Sequence, residues 1–178
     1  MAIIDGDDSF LGRNVLSLYN AVYQRDNCAM AYSNFLTIHN NDRTERGFCH
    51  DIDEDMFEQN TFRNSWDLPG THLMTFYSDL FKKIKISDLT YPNGTFYDYA
   101  YDRAILTPLL EMAYPRISVI KEITYEYRND TGINDAPDEW TRVSHIILDK
   151  KPYAHLQEFP FIKGLIESTD KFNIKAEI

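Results

Sequence analysis

The segment Ala2-Ile3-Ile4-Asp5-Gly6-Asp7-Asp8 is the part of the chain from which the fold is interpreted. A short apolar run that ends abruptly in acidic residues predicts a buried strand whose carboxyl end opens into a loop. Apolar residues then recur at helical spacing, which predicts a helix over residues 12–25. Small and apolar residues predict a second strand over residues 28–35. The expected fold class is therefore α/β, and it begins with a strand, helix and strand unit.

Five later segments also carry patterns that predict structure. Apolar spacing predicts helices over residues 73–84 and 102–113. Alternation predicts a strand over residues 117–127, with its odd-numbered residues on one face. A short helix is expected over residues 140–148. Residues 39–60 turn polar and acidic and lose periodicity, so a long loop is expected there.

Composition limits the classes of function. The chain has 178 residues, of which 43% are hydrophobic, so one medium domain with a sizeable core is expected. Its 18 Lys and Arg against 28 Asp and Glu give a net charge of -10, which argues against nucleic acid as a partner. The two cysteines, Cys28 and Cys49, are too few for a disulfide framework and are expected to be free thiols in a reducing compartment.

The acidic residues after the first predicted strand are the strongest chemical signal. Three carboxylates, those of Asp5, Asp7 and Asp8, lie close together in the sequence and repel one another unless a cation or hydrogen-bond donors satisfy them. Such a group of carboxylates is a natural binding site for a hard divalent metal ion. From these residues alone, an acidic turn or helix cap and a metal site are both open interpretations.

The order of several motifs is more specific than any one of them. The acidic segment is followed by a predicted helix, an extended segment and a series of further motifs. These motifs are Tyr32-Ser-Asn-Phe35, Arg63, Trp66, Thr71-His72-Leu73-Met74-Thr75-Phe76, Leu80-Phe81-Lys82-Lys83-Ile84, Tyr101-Asp102-Arg103-Ala104, Pro108-Leu-Leu-Glu111-Met-Ala113, Asn129 and Asn134-Asp135. In this order they resemble the part of a family 2 glycosyltransferase domain, of the GT-A fold, that runs from its DxD motif to its C-terminus.

The resemblance implies a GT-A-like mixed sheet flanked by helices, without the N-terminal nucleotide-binding half. Residues 1–155 would be the C-terminal, metal and acceptor portion of the domain, and residues 156–178 a C-terminal extension. The implied activity is metal-assisted transfer of a sugar from a nucleotide-diphosphate sugar to an acceptor hydroxyl, by a truncated or split enzyme. The alternative is a catalytically incompetent remnant that binds glycan or metal and completes a partner chain. An exposed sheet edge, with self-association or a partner chain, is expected in either case.

The resemblance also assigns roles to individual acids. It implies that Asp5, Asp7 and Asp8 bind the donor and that Asp7 and Asp5 hold the divalent metal, Mn²⁺ or Mg²⁺. Asp102 matches the general base that accepts the proton of the acceptor hydroxyl, with Asp98 and Glu111 as further candidates. The other open interpretation of Asp102 is a helix N-cap.

Contacts with acceptor or phosphate are assigned in the same way, to His72, Trp66 and Glu111. His145 is a candidate for a further metal or diphosphate ligand, and Trp140 for stacking on a sugar ring. For each histidine and tryptophan a structural or surface role is the alternative. The chain has Met74 where family members often have arginine.

The partners follow from these roles. The donor would be a nucleotide sugar, and the acceptor a glycan, a lipid-linked molecule or a protein. The N-terminus has no secretory signal and no segment reaches the roughly 20 apolar residues of a membrane-spanning helix. The expected location is therefore cytoplasmic, with peripheral membrane association open if the acceptor is lipid-linked.

Overall fold

The computed structural model of the protein describes residues 1–39, 42–46, 53–66, 68–70, 72–128 and 136–162. Its strands are β1 (Ala2–Ile3), β2 (Ser9–Phe10), β3 (Met30–His39), β4 (Asp42–Arg46), β5 (Met74–Phe76) and β6 (Ile117–Arg128). Its helices are α1 (Val15–Asp26), α2 (Glu54–Glu58), α3 (Ser78–Phe81), α4 (Ile86–Leu89), α5 (Tyr101–Ala113) and α6 (Pro137–Leu148), with a 3₁₀ turn at Phe62–Asn64. The predicted α/β class is confirmed.

The described strands form one mixed sheet in the order β1-β5-β3-β6-β2, and β4 pairs with the later part of β3. β3 and β6 are parallel, and the other pairs are antiparallel. Because β5 is antiparallel to both β1 and β3, these two strands run in the same direction. Among the described residues β1 pairs only with β5, and Met1 and Ile4 on either side of it are exposed. The prediction of a buried first strand was therefore wrong, because β1 lies at a sheet edge.

Alternation along β3 produces two hydrophobic cores, one on each face of the sheet. Met30 and Tyr32 point to the larger core, which α5 covers with Leu106, Leu109 and Leu110. Ala31 and Phe35 point to the opposite face, which α1 covers. Successive side chains of a strand lie on opposite faces, so one apolar strand supplies both cores.

The helix predicted over residues 12–25 is confirmed as α1. Its buried residues Val15, Tyr19 and Val22 follow helical spacing, and it ends at Asn27, whose φ of 53° is left-handed. Asparagine tolerates that conformation better than most residues. The strand predicted over residues 28–35 is confirmed as β3. The helices predicted over residues 102–113 and 140–148 are confirmed as α5 and α6.

Two predictions about local structure were wrong. Residues 73–84 were expected to be one helix, but Met74–Phe76 form strand β5 and only Ser78–Phe81 are helical there. Tertiary pairing with β1 and β3 overrides the helical spacing, since all three β5 residues are buried. Residues 39–60 were expected to be a loop, but they include β4 and α2. Asp53 caps α2 by accepting a hydrogen bond from the Met56 N–H at 3.2 Å, so an acid that indicated a loop instead begins a helix.

The predicted strand over residues 117–127 is confirmed, but its predicted alternation was wrong. Pairing between β3 and β6 shifts register on both sides of Asn34, so that Ser33 faces Ile120 whereas Phe35 faces Tyr125. Such a bulge places extra residues in one strand and reverses the face that later residues occupy. Ile120 and Tyr125, one even and one odd, therefore lie in the same core.

Cys28 is the cysteine that the described part of the chain contains. Cys28 is buried and free, and burial raises the pKa of its thiol to about 11, which keeps the thiol protonated near neutral pH. Cys49 lies outside the described residues.

Candidate functional site

Polar side chains from four elements meet at the carboxyl end of strand β1. Asp5 follows β1, His72 precedes the antiparallel β5, and Tyr125 comes from the later part of β6. Tyr101 and Asp102 come from the first turn of α5. Together they line a narrow pocket, whose walls are Ile3, Asp5, His72, Met74, Tyr101, Asp102, Ile105 and Tyr125.

The acidic segment folds into a turn that Tyr125 holds. The Asp8 N–H donates to the Asp5 carbonyl at 3.2 Å. The Tyr125 hydroxyl accepts a hydrogen bond from the Asp5 N–H at 3.2 Å and donates to Asp8 Oδ2 at 2.7 Å. The Arg128 N–H donates to Asp8 Oδ1 at 2.7 Å, and the Tyr101 hydroxyl donates to Asp5 Oδ1 at 3.0 Å. Neutral donors thus orient both carboxylates.

Burial changes the pKa values of the Asp8 carboxyl and the His72 imidazole. It raises the pKa of the Asp8 carboxyl, and the hydrogen bonds from Arg128 and Tyr125 oppose that rise. Burial lowers the pKa of His72, against the charges of Asp8, Asp5 and Asp102. A neutral imidazole and an ionised carboxylate are the forms that bind a metal ion, so the lowered pKa of His72 favours its metal-binding form.

Aromatic rings fix the position of His72. Its ring is almost parallel to those of Tyr125 and Tyr127, with centroid distances of 5.2 and 4.8 Å, and Phe35 meets it edge-on at 5.1 Å. A ring held on several sides loses little further rotamer freedom when it binds a ligand.

The cluster has a donor set suited to a divalent cation. Asp5, Asp8 and His72 each place one ligand atom so that all three atoms lie within 4.8 Å of one another. Two carboxylates and an imidazole fit Mn²⁺ well and Mg²⁺ acceptably, and three protein ligands leave coordination positions for a substrate oxygen. Of the two predicted metal ligands, Asp5 belongs to this cluster, whereas Asp7 is exposed on the turn beside it. Asp8 and His72, which sequence analysis did not assign to the metal, are the other two members of the cluster.

Asp102 lines the same pocket as Asp5 and His72. Burial raises the pKa of its carboxyl, and Asp5 contributes to the rise, while the Arg103 N–H and the charges of His72 and Arg103 oppose it. A raised pKa makes a carboxylate a better proton acceptor. The N-cap interpretation of Asp102 was wrong, because the helix cap is Ala100 and Asp102 is the second helical residue.

Five other predicted site residues, Glu111, Asp98, Trp66, Trp140 and His145, lie outside this pocket. Glu111 is fully buried and forms an ion pair with Arg63 at 2.6 Å, and exposed Asp98 accepts a hydrogen bond from the Tyr91 hydroxyl at 2.6 Å. Trp66 and Trp140 are partly exposed, with ring centroids 6.1 Å apart.

The tryptophan pair is linked to the pocket through α5. The Arg103 guanidinium lies 5.5 Å from the Trp66 ring and 5.2 Å from the Trp140 ring, while His145 meets Trp66 edge-on at 4.8 Å. Arg103 directly follows Asp102 in the chain. The buried cation of Arg103 therefore packs against both partly exposed indole rings. Asn129, Asn134 and Asp135 lie outside the described residues.

Sequence analysis missed the tyrosines of the site. Tyr101, Tyr125 and Tyr127 provide the hydroxyls and rings that hold Asp5, Asp8 and His72. The available signal was the number of tyrosines, 12 in an acidic chain. A buried tyrosine hydroxyl needs a hydrogen-bond partner, and a carboxylate is a strong one.

Comparisons with protein-family models, with curated proteins and with solved structures each gave no match to this chain. Within the described part of the chain, no helix combines the length and the apolar character needed to cross a membrane.

Proposed function

We propose that this chain is the metal and acceptor portion of a glycosyltransferase domain similar to family 2. It would transfer a sugar from a nucleotide-diphosphate sugar to an acceptor hydroxyl. The observation that carries the proposal is one pocket lined by Asp5, His72 and Asp102, in which Asp5 and His72 also belong to a cluster with Asp8. A donor set for a cation beside a half-buried carboxylate is the combination that metal-assisted glycosyl transfer needs.

The donor would bind at the turn formed by residues 5–8. Asp5, Asp8 and His72 would hold Mn²⁺ or Mg²⁺, and Asp7 is exposed on the same turn, where it can contact the donor. When bound, the cation supplies charge neutralisation for the departing diphosphate. The net charge of -10 makes that neutralisation important, because an acidic chain repels a diphosphate.

Asp102 would act as the general base. Its carboxylate accepts the proton of the acceptor hydroxyl as that oxygen forms a bond to the anomeric carbon of the sugar. The bond between the anomeric carbon and the diphosphate oxygen breaks in the same step, and the electron pair leaves with the diphosphate. Its raised pKa and its half-buried position in the pocket fit this role.

The acceptor would lie over the exposed tryptophans. Trp66 and Trp140 present indole surface next to the start of α5, and the faces of indole rings bind the apolar faces of sugars. Arg103, whose guanidinium lies 5.5 and 5.2 Å from the two rings, directly follows Asp102 in the chain.

The first experiment is calorimetric titration of UDP and of GDP into the purified chain, with and without Mn²⁺. We expect diphosphate binding that requires Mn²⁺ and is lost in Asp8→Asn and His72→Phe. Asp98→Asn is the matched control, since Asp98 lies outside the pocket and is expected to leave binding unchanged. Equal diphosphate binding with and without the metal would contradict the proposal.

The free edge of β1 favours a second candidate function. A strand with an unpaired edge can accept a strand from another chain, and among the described residues β1 has only β5 as a neighbour. The chain would then bind metal or glycan without turnover and complete a partner chain. Mn²⁺-dependent diphosphate binding without sugar transfer from any nucleotide sugar would favour this candidate over the first.

A further inference from the structure

One buried residue, Tyr125, contacts all three members of the cluster of Asp5, Asp8 and His72. Its hydroxyl accepts a hydrogen bond from the Asp5 N–H at 3.2 Å and donates to Asp8 Oδ2 at 2.7 Å. Its ring lies 5.2 Å from the His72 ring, at an interplanar angle of 5°. Tyr125 therefore links the turn after β1 to the segment before β5, which are far apart in the chain.

The Tyr125 hydroxyl orients Asp8 without blocking its carboxylate. An ionised carboxylate has about four lone-pair positions on its two oxygens. The Arg128 N–H takes one position on Oδ1 at 2.7 Å, and the Tyr125 hydroxyl takes one on Oδ2. Each oxygen thus keeps a lone pair for a cation, while the side chain already has its orientation. A cation that binds here loses little free energy to ordering Asp8, because fixed side chains have little rotamer freedom to lose.

The bulge in the β3–β6 pairing delivers Tyr125 to the cluster. The register shifts on both sides of Asn34, so that Phe35 lies opposite Tyr125. Asn34 donates from Nδ2 to the Lys121 carbonyl at 2.7 Å, which ties the two strands together within the bulge. Bulges are frequent next to active sites, where they re-aim a side chain. The sheet therefore departs from regular pairing at the point where Tyr125 turns toward the acids.

Tyr153 makes the same pair of hydrogen bonds in another part of the molecule. Its hydroxyl accepts from the Lys85 N–H at 2.8 Å and donates to the Asp88 carboxylate. The Lys150 ammonium lies 3.7 Å from Asp88, so that acid already has a cation of its own chain. The donors to Asp8 are instead a neutral phenol and a backbone N–H. Tyr153 is therefore an internal reference in which the same bonds serve the fold alone.

We propose that Tyr125 is a positioning residue that sets the affinity of the cluster for a divalent cation. It would act through the orientation of Asp5, Asp8 and His72 rather than as a ligand. The inference rests on the proposed function, because it requires the cluster to bind Mn²⁺ or Mg²⁺. It goes beyond that function by naming the residue outside the ligand set on which binding depends. Replacing such an outer partner of metal ligands typically lowers metal affinity by about 10–100-fold.

The test is calorimetric titration of MnCl₂ into the full chain without nucleotide. We expect saturable binding by the wild-type chain and loss of binding in Asp8→Asn. Tyr125→Phe keeps the ring beside His72 and removes only the hydroxyl, and it should weaken Mn²⁺ binding by about tenfold or more. Tyr101→Phe removes a single hydrogen bond to Asp5, so its effect on Mn²⁺ binding should be smaller.

Tyr153→Phe is the matched control. It removes a hydroxyl that also accepts from an N–H and donates to a carboxylate, so it should destabilise the fold but leave the Mn²⁺ affinity unchanged. The visible absorption spectrum of bound Co²⁺ is a second readout, because it depends on the geometry of the ligands and not on global stability. We expect a changed spectrum in Tyr125→Phe and the wild-type spectrum in Tyr153→Phe. Urea denaturation without metal establishes that each variant is folded.

Two results would overturn the inference and leave the proposed function intact. One is a Mn²⁺ affinity that falls no further in Tyr125→Phe than in Tyr101→Phe. The other is equal weakening in Tyr125→Phe and Tyr153→Phe, which would attribute the effect to a general loss of stability. Absence of Mn²⁺ binding by the folded wild-type chain, or full binding by Asp8→Asn, would instead remove the proposed metal site and this inference with it.

Discussion

Two groups of buried or half-buried carboxylates in this protein have opposite environments. Glu111 has a cation of its own chain, since Arg63 donates to it from Nε at 2.6 Å and from Nη2 at 2.9 Å. Asp5 and Asp8 instead contact phenols, backbone N–H groups and an imidazole, and form no ion pair with lysine or arginine in the described structure. An acid that is neutralised internally holds the fold together, whereas an acid cluster without a cation can take one from solution.

The Arg63–Glu111 pair connects four parts of the chain. Arg63 also donates from Nη1 to the Ile147 carbonyl at 2.6 Å, and Glu111 accepts from the Tyr153 N–H at 3.0 Å. The 3₁₀ turn, α5, α6 and the segment after α6 therefore meet at one ion pair. The sequence analysis predicted Glu111 as a contact for acceptor or phosphate, but the structure places it in the interior, with its side chain 0% exposed.

The largest expected effect is the loss of this pair. Arg63→Ala leaves a buried carboxylate without its cation and should lower the free energy of unfolding by about 3–5 kcal/mol. Urea denaturation measures this change in the free energy of unfolding. Arg142→Ala, which breaks the exposed pair with Glu139, is the matched control and should have little effect. Equal losses in the two variants would mean that burial does not distinguish these ion pairs.

A cation should stabilise the other group. At a Mn²⁺ concentration of 100 times its dissociation constant, linkage adds about 2.7 kcal/mol to the free energy of unfolding. We expect thermal melting to show this gain in the wild-type chain and none in Asp8→Asn. Persistence of the full gain in Asp8→Asn would place the metal elsewhere, and Arg142→Ala should retain the gain.

The hydroxyl that orients the acids should contribute less. Tyr125→Phe removes a buried donor to Asp8 and an acceptor for the Asp5 N–H, so we expect a loss of about 2 kcal/mol. Tyr101→Phe removes one donor to Asp5 from an exposed residue, and its loss should be smaller. Chemical denaturation without metal measures the loss of unfolding free energy in each of the two variants. A larger loss in Tyr101→Phe would show that Tyr125 does not hold the turn.

The smallest effect is a pH dependence without metal. Burial raises the pKa of Asp102 above its ordinary value of 3.8, so the folded state binds more protons than the unfolded state just above that value. Asp102 therefore contributes a fall in stability as pH rises from about 3.8 through the folded-state pKa, by at most about 1.4 kcal/mol per pH unit. Denaturation at several pH values should show that the free energy of unfolding falls less steeply with rising pH in Asp102→Asn than in the wild-type chain. An unchanged profile would mean that Asp102 ionises normally in the folded state.

Sequence patterns predicted the parts of the fold in which neighbours in the chain determine the outcome. α1, α5 and α6 follow from local spacing, and β3 from its small and apolar residues. β5 did not follow, because its conformation depends on pairing with strands far away in the sequence. The face of Tyr125 could not be predicted either, since it depends on the bulge opposite Asn34.

By itself, the sequence determined that acidic residues follow the first strand and that an acid lies at the start of a later helix. Local chemistry is sufficient for both statements, because turns, caps and periodicity depend on adjacent residues. Only the tertiary structure decided that Asp8 and His72 join Asp5, that Asp102 lines the same pocket as Asp5 and His72, and that Glu111 is neutralised by Arg63. These groups are brought together by strand pairing and core packing, which act between residues that are distant in the chain.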